Sequence, residues 1–320
     1  MNFKYLLLKS ILYTLLITIL TATAIVGYGY FHLYEQITAP ASIKIEKGSN
    51  QNALDALDKI GINTNFIDKI ALSMLGGAKS GDISLDGAST KIEILKAIAK
   101  GKQKNITITL IPGETTEVFL RNIAKKESLN LDKLKTAYYS KTSSPEGELL
   151  PETYSLPLNA DEAKIIEYLF SFSRKSFSDM QKEFGVSEAE FAKKLIIASI
   201  VEKEAASKEE MPLVASVIYN RLKINMPLQM DGTLNYGIYS HQKVTPQRIR
   251  EDDSSYNTYK NRGLPEYPVC NPSKEAIEAA FKPAHTDYLY FMKSKEGRHN
   301  FSNSYTEHKS NINDVKKSNR

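Results

Sequence analysis

Ser187–Ala206 reads SEAEFAKKLIIASIVEKEAA, and this stretch decides the class of the fold. Ser187 with Glu190 three residues later is a capping-box pattern, so a helix starts there. Leu195 to Val201 is apolar nearly all round, Ser199 being its polar member. A helix with no polar face belongs in the middle of a domain. It then runs into Glu202-Lys203-Glu204. Glu204 is i+7 from Ile197, i+4 from Ile200 and i+3 from Val201, and so extends an apolar stripe, while Lys203 points about 100° away. A carboxylate on such a stripe loses solvation, its pKa rises, and it can keep a proton near neutrality, as a general acid must. Glu202, i+4 from Ala198 and i+7 from Leu195, has a similar claim, and both acids standing solvated at a helix end is the plainer alternative. Periodicity alone does not choose.

Around this helix the chain mixes elements. Asn105 to Ile111 (NITITLI) alternates strictly and predicts a strand. Pro112-Gly113-Glu114-Thr115 is a turn whose Thr caps a helix through Lys126, and helical, polar segments continue to Tyr139. Ser143 to Pro157 is a loop rich in turn formers and acids. Asp161 to Glu183, Met211 to Ile224 and Ser273 to Phe281 predict further helices, and Tyr288 to Met292 a strand. A turn-rich stretch fills the gap before Pro272, and the tail after His308 is polar. No period of 20 to 50 residues recurs. Elements mixed without regular strand–helix alternation point to an α+β fold.

Upstream lies a smaller unit, about residues 42–103. Ala41 to Glu46 (ASIKIE) alternates like a strand. Ser49 or Asn50 can cap a helix ending at Gly61, a second helical pattern covers Asn65 to Leu75, and Leu85 to Gly87 forms a turn. Ser89 or Thr90 opens a third helix closed by Lys100-Gly101. Pro40 and its neighbours read as a short linker.

From Ile11 to Phe31 there are 21 residues without a charge. About 20 helical residues cross a hydrocarbon core about 30 Å thick. Lys4 and Lys9 precede the run and Glu35 follows it, so residues 1–10 are expected in the cytoplasm and everything after about Leu33 outside. Tyr28, Tyr30, Phe31 and Tyr34 suit the far interface. A cleaved signal peptide is the rival, with Thr21-Ala22-Thr23-Ala24 as its small-residue site. The apolar run continues past that site through Ile25-Val26, which favours an uncleaved anchor.

The 320 residues allow about two folded units plus a targeting segment. Apolar content of 42% and charged content of 25% are ordinary for a globular chain. The net charge of +5 is spread without a dense basic block, which argues against nucleic acid as a partner. The single cysteine, Cys270, cannot form an internal disulfide and reads as a small buried hydrophobe. His32, His241, His285, His299 and His308 show no H-E-x-x-H spacing, and surface polar roles suit His299 and His308. Neither a G-x-S-x-G elbow nor a phosphate-binding glycine loop is present.

Several blocks, in order, carry a resemblance. They are Glu146-Gly147 with Pro151-Glu152-Thr153-Tyr154, ASIVEKEA (198–205), VASVIYNRL (214–222), LQMDGTLNYG (228–237), SYNT (255–258), Gly263-Leu264-Pro265, and Tyr288-Leu289-Tyr290-Phe291 with His299 and Phe301. Together they resemble the YceG/MltG family of endolytic murein transglycosylases across most of residues 105–308. The chain departs from that pattern at Glu266-Tyr267-Pro268, where the family commonly has a Gly-rich turn. It departs again at Asn271-Pro272-Ser273, where Asn-Pro-Gly is usual.

The resemblance implies one amino-terminal membrane helix, which falls on the transmembrane run 11–31, and a catalytic α+β domain (105–308); residues 309–320 remain as the polar tail. It makes Glu204 the catalytic acid and places Asn220, Arg221, Gln229, Asp231, Thr233, Tyr236, Tyr256, Asn257 and Thr258 in a glycan-binding cleft. For each of these a structural hydrogen bond is the competing reading. The implied reaction cuts MurNAc–GlcNAc bonds in nascent peptidoglycan strands, leaves 1,6-anhydro ends and terminates strand growth, with no metal or organic cofactor. The implied partners are glycan strands, the cytoplasmic membrane and wall-synthesis enzymes. Strand, helix, helix, strand in the small unit resembles a LysM glycan-binding module, against which stands a packing subdomain with no ligand. A hydrolase of the same substrate and a non-catalytic wall-binding scaffold are the alternative functions.

Overall fold

The computed structural model describes residues 3–101, 105–157 and 160–317. Residues 102 and 103, at the expected end of the small unit, lie outside the described residues. So do residues 1 and 2 of the expected cytoplasmic segment and 318–320 of the expected tail. The chain divides into two compact units, one of residues 1–106 with 157–159, the other of 107–156 with 160–320.

The first unit opens with helix α1, Phe3–Leu33. Its Lys9–Leu33 portion is long and apolar enough to cross a membrane, with a mean hydropathy of 2.0 and exposed side chains. The hydroxyls of Thr14, Thr18, Thr21 and Thr23 all donate to carbonyls three or four residues back, so these hydroxyls are satisfied within the helix.

Strand β1 (Ser42–Ile45), helices α2 (Asn50–Lys59) and α3 (Phe66–Met74), strand β2 (Gly81–Ser84) and helix α4 (Lys91–Lys100) follow. β1 and β2 pair antiparallel, Ile43 opposite Ile83. Gly81-Asp82-Ile83-Ser84 offers too little alternation to announce a strand. Ile43, Ile45, Leu54, Leu57, Leu72, Ile83, Ile94, Leu95 and Ile98 form the core. The segment expected as a linker is instead built into this unit. Gln36 bridges to Thr90, the Ile37 N–H donates to Ser89 O at 2.9 Å, the Leu85 N–H donates to Ala41 O at 3.0 Å, and Leu33, Ile37 and Ala39 pack on the core.

Strand β3 (Asn105–Thr109) leads into the second unit, where helices α5 (Thr116–Lys126) and α6 (Leu131–Tyr139) follow. Strand β4 (Thr153–Pro157) pairs with β3, so the end of the expected loop is a strand, with Tyr154 and Leu156 buried on one face. Then come helices α7 (Glu162–Phe184), α8 (Glu188–Glu204), α9 (Met211–Lys223), α10 (Pro246–Glu251) and α11 (Lys274–Phe281). The antiparallel pair β5 (Tyr290–Lys293) and β6 (His299–Ser302) precedes helix α12 (Tyr305–Lys317), which orders part of the segment expected as a tail. The described residues thus mix helices with three two-stranded sheets, an α+β arrangement.

α8 is the spine of this unit. Ile197, Ala198, Ile200 and Val201 are buried among residues of α9 and α11, each such side chain adding roughly 1.5–3 kcal/mol where it is large. Ser199 is satisfied: its hydroxyl donates to Ile196 O at 2.7 Å and accepts the Val269 N–H at 2.9 Å. Cys270 is fully buried beside it, and burial pushes its thiol pKa far up, which leaves an inert side chain.

Candidate active site

The last turn of α8 sends three consecutive charged side chains to three different places. Glu202 reaches α11, where its Oε2 accepts the Ser273 N–H at 2.9 Å and the Ser273 hydroxyl at 2.5 Å. Ser273, one of the departures from the family pattern, also caps α11 by accepting the Ala276 N–H at 3.2 Å. Lys203 donates to Ser240 O at 2.5 Å, and desolvation lowers its pKa. Behind it lies Glu146, 2% exposed, whose Oε2 accepts the Thr116 N–H at 2.6 Å. Burial pushes the Glu146 carboxyl up to about 8, against the pull of that N–H and of Lys203.

Glu204 takes the third direction. It is half-buried, and its Oε1 accepts a single hydrogen bond, from the Gly232 N–H at 2.6 Å. Burial pushes its pKa up to about 7; the Gly232 N–H and Arg221 oppose the rise and the Asp231 charge adds to it. The negative end of the α8 dipole also disfavours a carboxylate there. Gly232 comes in close: a Cβ at this position would stand 2.7 Å from Glu204 Oε1 and 2.6 Å from Lys203 Cβ.

Glu204 lines a cavity of about 240 Å³, together with Arg221, Gln229, Met230, Asp231, Tyr259, Phe291, Met292, Lys293 and His299. Four of the ten sequence-predicted residues therefore share one wall: Glu204, Arg221, Gln229 and Asp231. Arg221 is anchored by Nε to Leu289 O at 2.6 Å and by Nη1 to Leu228 O at 2.5 Å. Asp231 accepts the Tyr259 hydroxyl at 2.7 Å. Gln229 has φ 49°, the left-handed region that a side chain enters at a cost of roughly 1–2 kcal/mol.

Of three more predicted residues, Thr258 and Thr233 fasten this loop from behind and Asn257 braces the neighbouring segment. Thr258 O accepts the Gln229 N–H and Thr258 Oγ1 accepts the Met230 N–H, both at 3.1 Å. The buried Thr233 hydroxyl donates to Met230 O at 2.7 Å and lies 3.1 Å from Thr258 Oγ1. Asn257, also buried, donates to Ile249 O and Asp252 O at 2.8 and 2.7 Å. The remaining three do not line the cavity. Asn220 donates to Thr286 O and Tyr288 O at 2.8 and 3.0 Å. Tyr236 stacks on Tyr256 with ring centroids 4.3 Å apart and donates to Asp252 at 2.9 Å.

The cavity also holds residues that the sequence did not assign to the cleft, among them His299, expected in a surface role but 10% exposed here. His299 on β6 is clamped by Glu210, whose Oε1 accepts the His299 N–H at 2.8 Å and whose Oε2 lies 2.7 Å from Nδ1. Burial alone would raise the Glu210 pKa, but the hydrogen bonds from His299 and from the Ala206 N–H more than reverse this, so it is a carboxylate that engages the Nδ1 edge of the ring. That leaves Nε2 to a ligand. The place of His299 in the resemblance block is a signal, and the pairing across 89 residues is what takes it off the surface. Among the described residues no group of three His, Cys, Asp or Glu side chains is placed to hold a metal ion.

The YceG-like family matches residues 43–314, well over half of the sequence. The chain belongs to the YceG-like family. Two curated relatives are named endolytic murein transglycosylases. One, from Bacillus subtilis, is 37% identical over 166 residues, covering 51% of this chain and 46% of the relative. The other, from Streptococcus pneumoniae, is 34% identical over 176 residues, covering 52% of this chain and 31% of the relative. This YceG-like chain thus spans less than half the length of the curated relatives it matches. A crystal structure of a YceG-like protein from Listeria monocytogenes matches with a TM-score of 0.57 at 28% identity, covering 87% of this chain and 99% of that one.

Proposed function

We propose that this YceG-like protein is a membrane-anchored lytic transglycosylase that cuts MurNAc–GlcNAc bonds of peptidoglycan, with Glu204 as its acid and base. The observation that carries the proposal is a half-buried carboxyl, pushed up to about 7, on the wall of an open cavity. Such a group still holds its proton when substrate arrives and can take one back afterwards. Glu204 protonates the oxygen leaving C1 of the muramic residue, and the C1–O bond breaks through an oxocarbenium-like state. The 6-hydroxyl oxygen of the same sugar closes on C1 and its proton passes to Glu204. No water is added, and the product is a 1,6-anhydro end. An internal hydroxyl outcompetes bulk water through proximity, provided the sugar fills the site.

In this reading Gln229, Asp231, Arg221 and the His299 edge hold the glycan, while Thr233 and Thr258 hold the loop that carries Gln229 and Asp231 and Asn257 braces residues 249–252 beside it. Asn220, Tyr236 and Tyr256 support the surrounding framework. The apolar α1 serves as a single-pass anchor with the rest of the chain outside, near nascent strands and the enzymes that make them. The small unit serves as a LysM-like glycan-binding module, a role supported by a concavity of about 430 Å³ between β1 and α2 lined by Lys44, Glu46, Asn52, Asp55 and Lys59.

The test is digestion of purified peptidoglycan by the full-length protein in detergent, followed by mass analysis. Anhydro ends are expected from wild type and none from Glu204→Gln. Asp231 supports a second reading. As another carboxylate on the wall it could activate water, and a hydrolase of the same substrate would leave reducing ends heavier by one water. Ends of that kind, lost in Asp231→Asn, would replace the transglycosylase by the hydrolase. Tight binding with no cleavage would reduce the protein to a wall-binding scaffold.

A further inference from the structure

α1 meets the small unit without slack, and the meeting point fixes the level of α3. His32, in the last turn of α1, lies 2.7 Å from Asp68 of α3, a carboxylate with no exposure. The ammonium of Lys91, 2% exposed, stands 3.3 Å from the same ring nitrogen and donates to Asn63 O at 2.9 Å. One turn earlier on α1, Gly29 faces Ile67: a Cβ built on it would be 4.0 Å from Ile67 Cγ2. The first turn of α3 is therefore level with residues 29–32. The apolar run from Ile11 to Phe31 is about 30 Å long at 1.5 Å per residue, the thickness of a hydrocarbon core. That level is the outer margin of the core.

α3 has two unlike faces. Asp68 and Leu72 are buried in the unit. Phe66, Ile70 and Met74 are 73%, 44% and 83% exposed. Spaced four residues apart they form one stripe, about 180° round the helix from the buried pair. Ile67 lies at the edge of the stripe nearest α1, and Lys69 flanks its other edge. The stripe starts, at Phe66, beside the level of Phe31, 77% exposed, on α1.

We infer that α3 is an interfacial helix, its Phe66–Ile70–Met74 stripe seated in the headgroup–acyl boundary of the bilayer that α1 enters. The inference rests on the anchor reading of α1 and goes beyond it, since an anchor alone needs no second contact. A lipid surface is the occupant because the stripe begins where the apolar run of α1 ends. Lys69 supplies the cation that anionic headgroups favour beside such a stripe.

The experiment uses the full-length chain in phosphatidylethanolamine/phosphatidylglycerol vesicles. Single cysteines at 66, 70 or 74 carry an environment-sensitive fluorophore, and Cys270 is fully buried, so labelling of the folded chain is confined to the new thiol. The three labels are expected to be blue-shifted, quenched by lipid carrying a shallow spin label, and several-fold less accessible to iodide than a label at Lys59. A label at Leu20 reports α1 independently. Lipid contact at 20 with water contact at 66, 70 and 74 overturns the interfacial helix and leaves the anchor standing. Water contact at 20 removes the anchor, and the inference falls with it.

Discussion

Glu202 and Glu204 stand two residues apart on α8, and their carboxylates meet opposite conditions. Glu202 Oε2 receives both the N–H and the hydroxyl of Ser273, whereas Glu204 receives one N–H, from Gly232, and faces a cavity. The first is a structural acceptor that ties α8 to α11. The second is under-solvated and open to a ligand. Glu204→Gln is therefore expected to fold and to lose about 100- to 10,000-fold in kcat on peptidoglycan. Glu202→Gln should keep most of its turnover while losing about 1–3 kcal/mol of stability, measured by urea unfolding. An inactive Glu202→Gln beside an active Glu204→Gln would reverse the roles.

The raised pKa of Glu204 sets a direction for the pH profile. An acid catalyst must be protonated when substrate binds, so kcat/KM should fall as pH rises through about 7. The measurement is the rate of anhydro-end release from pH 5 to 9. A descending limb near the ordinary carboxyl range would mean that Glu204 is not desolvated in solution.

His299 is expected to act on the bound sugar through an orientation that Glu210 imposes. His299→Ala and Glu210→Gln should each lower kcat/KM by about 10- to 100-fold, with His299→Asn recovering part of the loss because a hydrogen-bonding group remains. Separate KM and kcat values distinguish lost glycan contact from lost folding. Unchanged values for both parameters would remove His299 from the site.

Glu146 makes stability depend on pH. Its folded-state pKa lies near 8, above the unfolded value of 4.5, so the folded chain keeps a proton that the unfolded chain has released. Its contribution is fully present below 4.5 and is lost as pH rises through about 8. Glu204 adds a loss of the same sign that ends near 7. Urea midpoints should therefore decline from pH 5 to pH 9, and Glu146→Gln should lose less over that interval, by on the order of 1–4 kcal/mol. Parallel declines in the two proteins would contradict the buried acid.

Helix starts were the most legible part of the sequence, because a cap is a local event. Ser49, Asn65, Thr115, Asp161, Ser187 and Ser273 each accept an N–H from the first turn of the helix they precede. The all-round apolar stretch of α8 likewise announced its burial. β4 and β6 were not legible, and β2, implied by the strand–helix–helix–strand outline, could not be placed: four or five residues carry little alternation, and each exists through a partner strand. At the site the helical wheel left Glu202 and Glu204 tied. Ser273 and Gly232, 71 and 28 residues away, separate them. Glu146 beneath Lys203 and Glu210 behind His299 are equally non-local. The 34–41 segment misled because Pro40 resembles linker chemistry while its neighbours add an edge to the sheet-and-helix unit.

Gln229 keeps a side chain at φ 49°, where glycine would relieve the backbone. Thr258 holds the residue in that posture by accepting its N–H and that of Met230 next to it. A glycine at 229 would fold more readily and strip an amide from the cavity wall. The bend is thus a place where ease of folding yields to what the loop displays, and relaxing it should make a sturdier protein with a blunter grip.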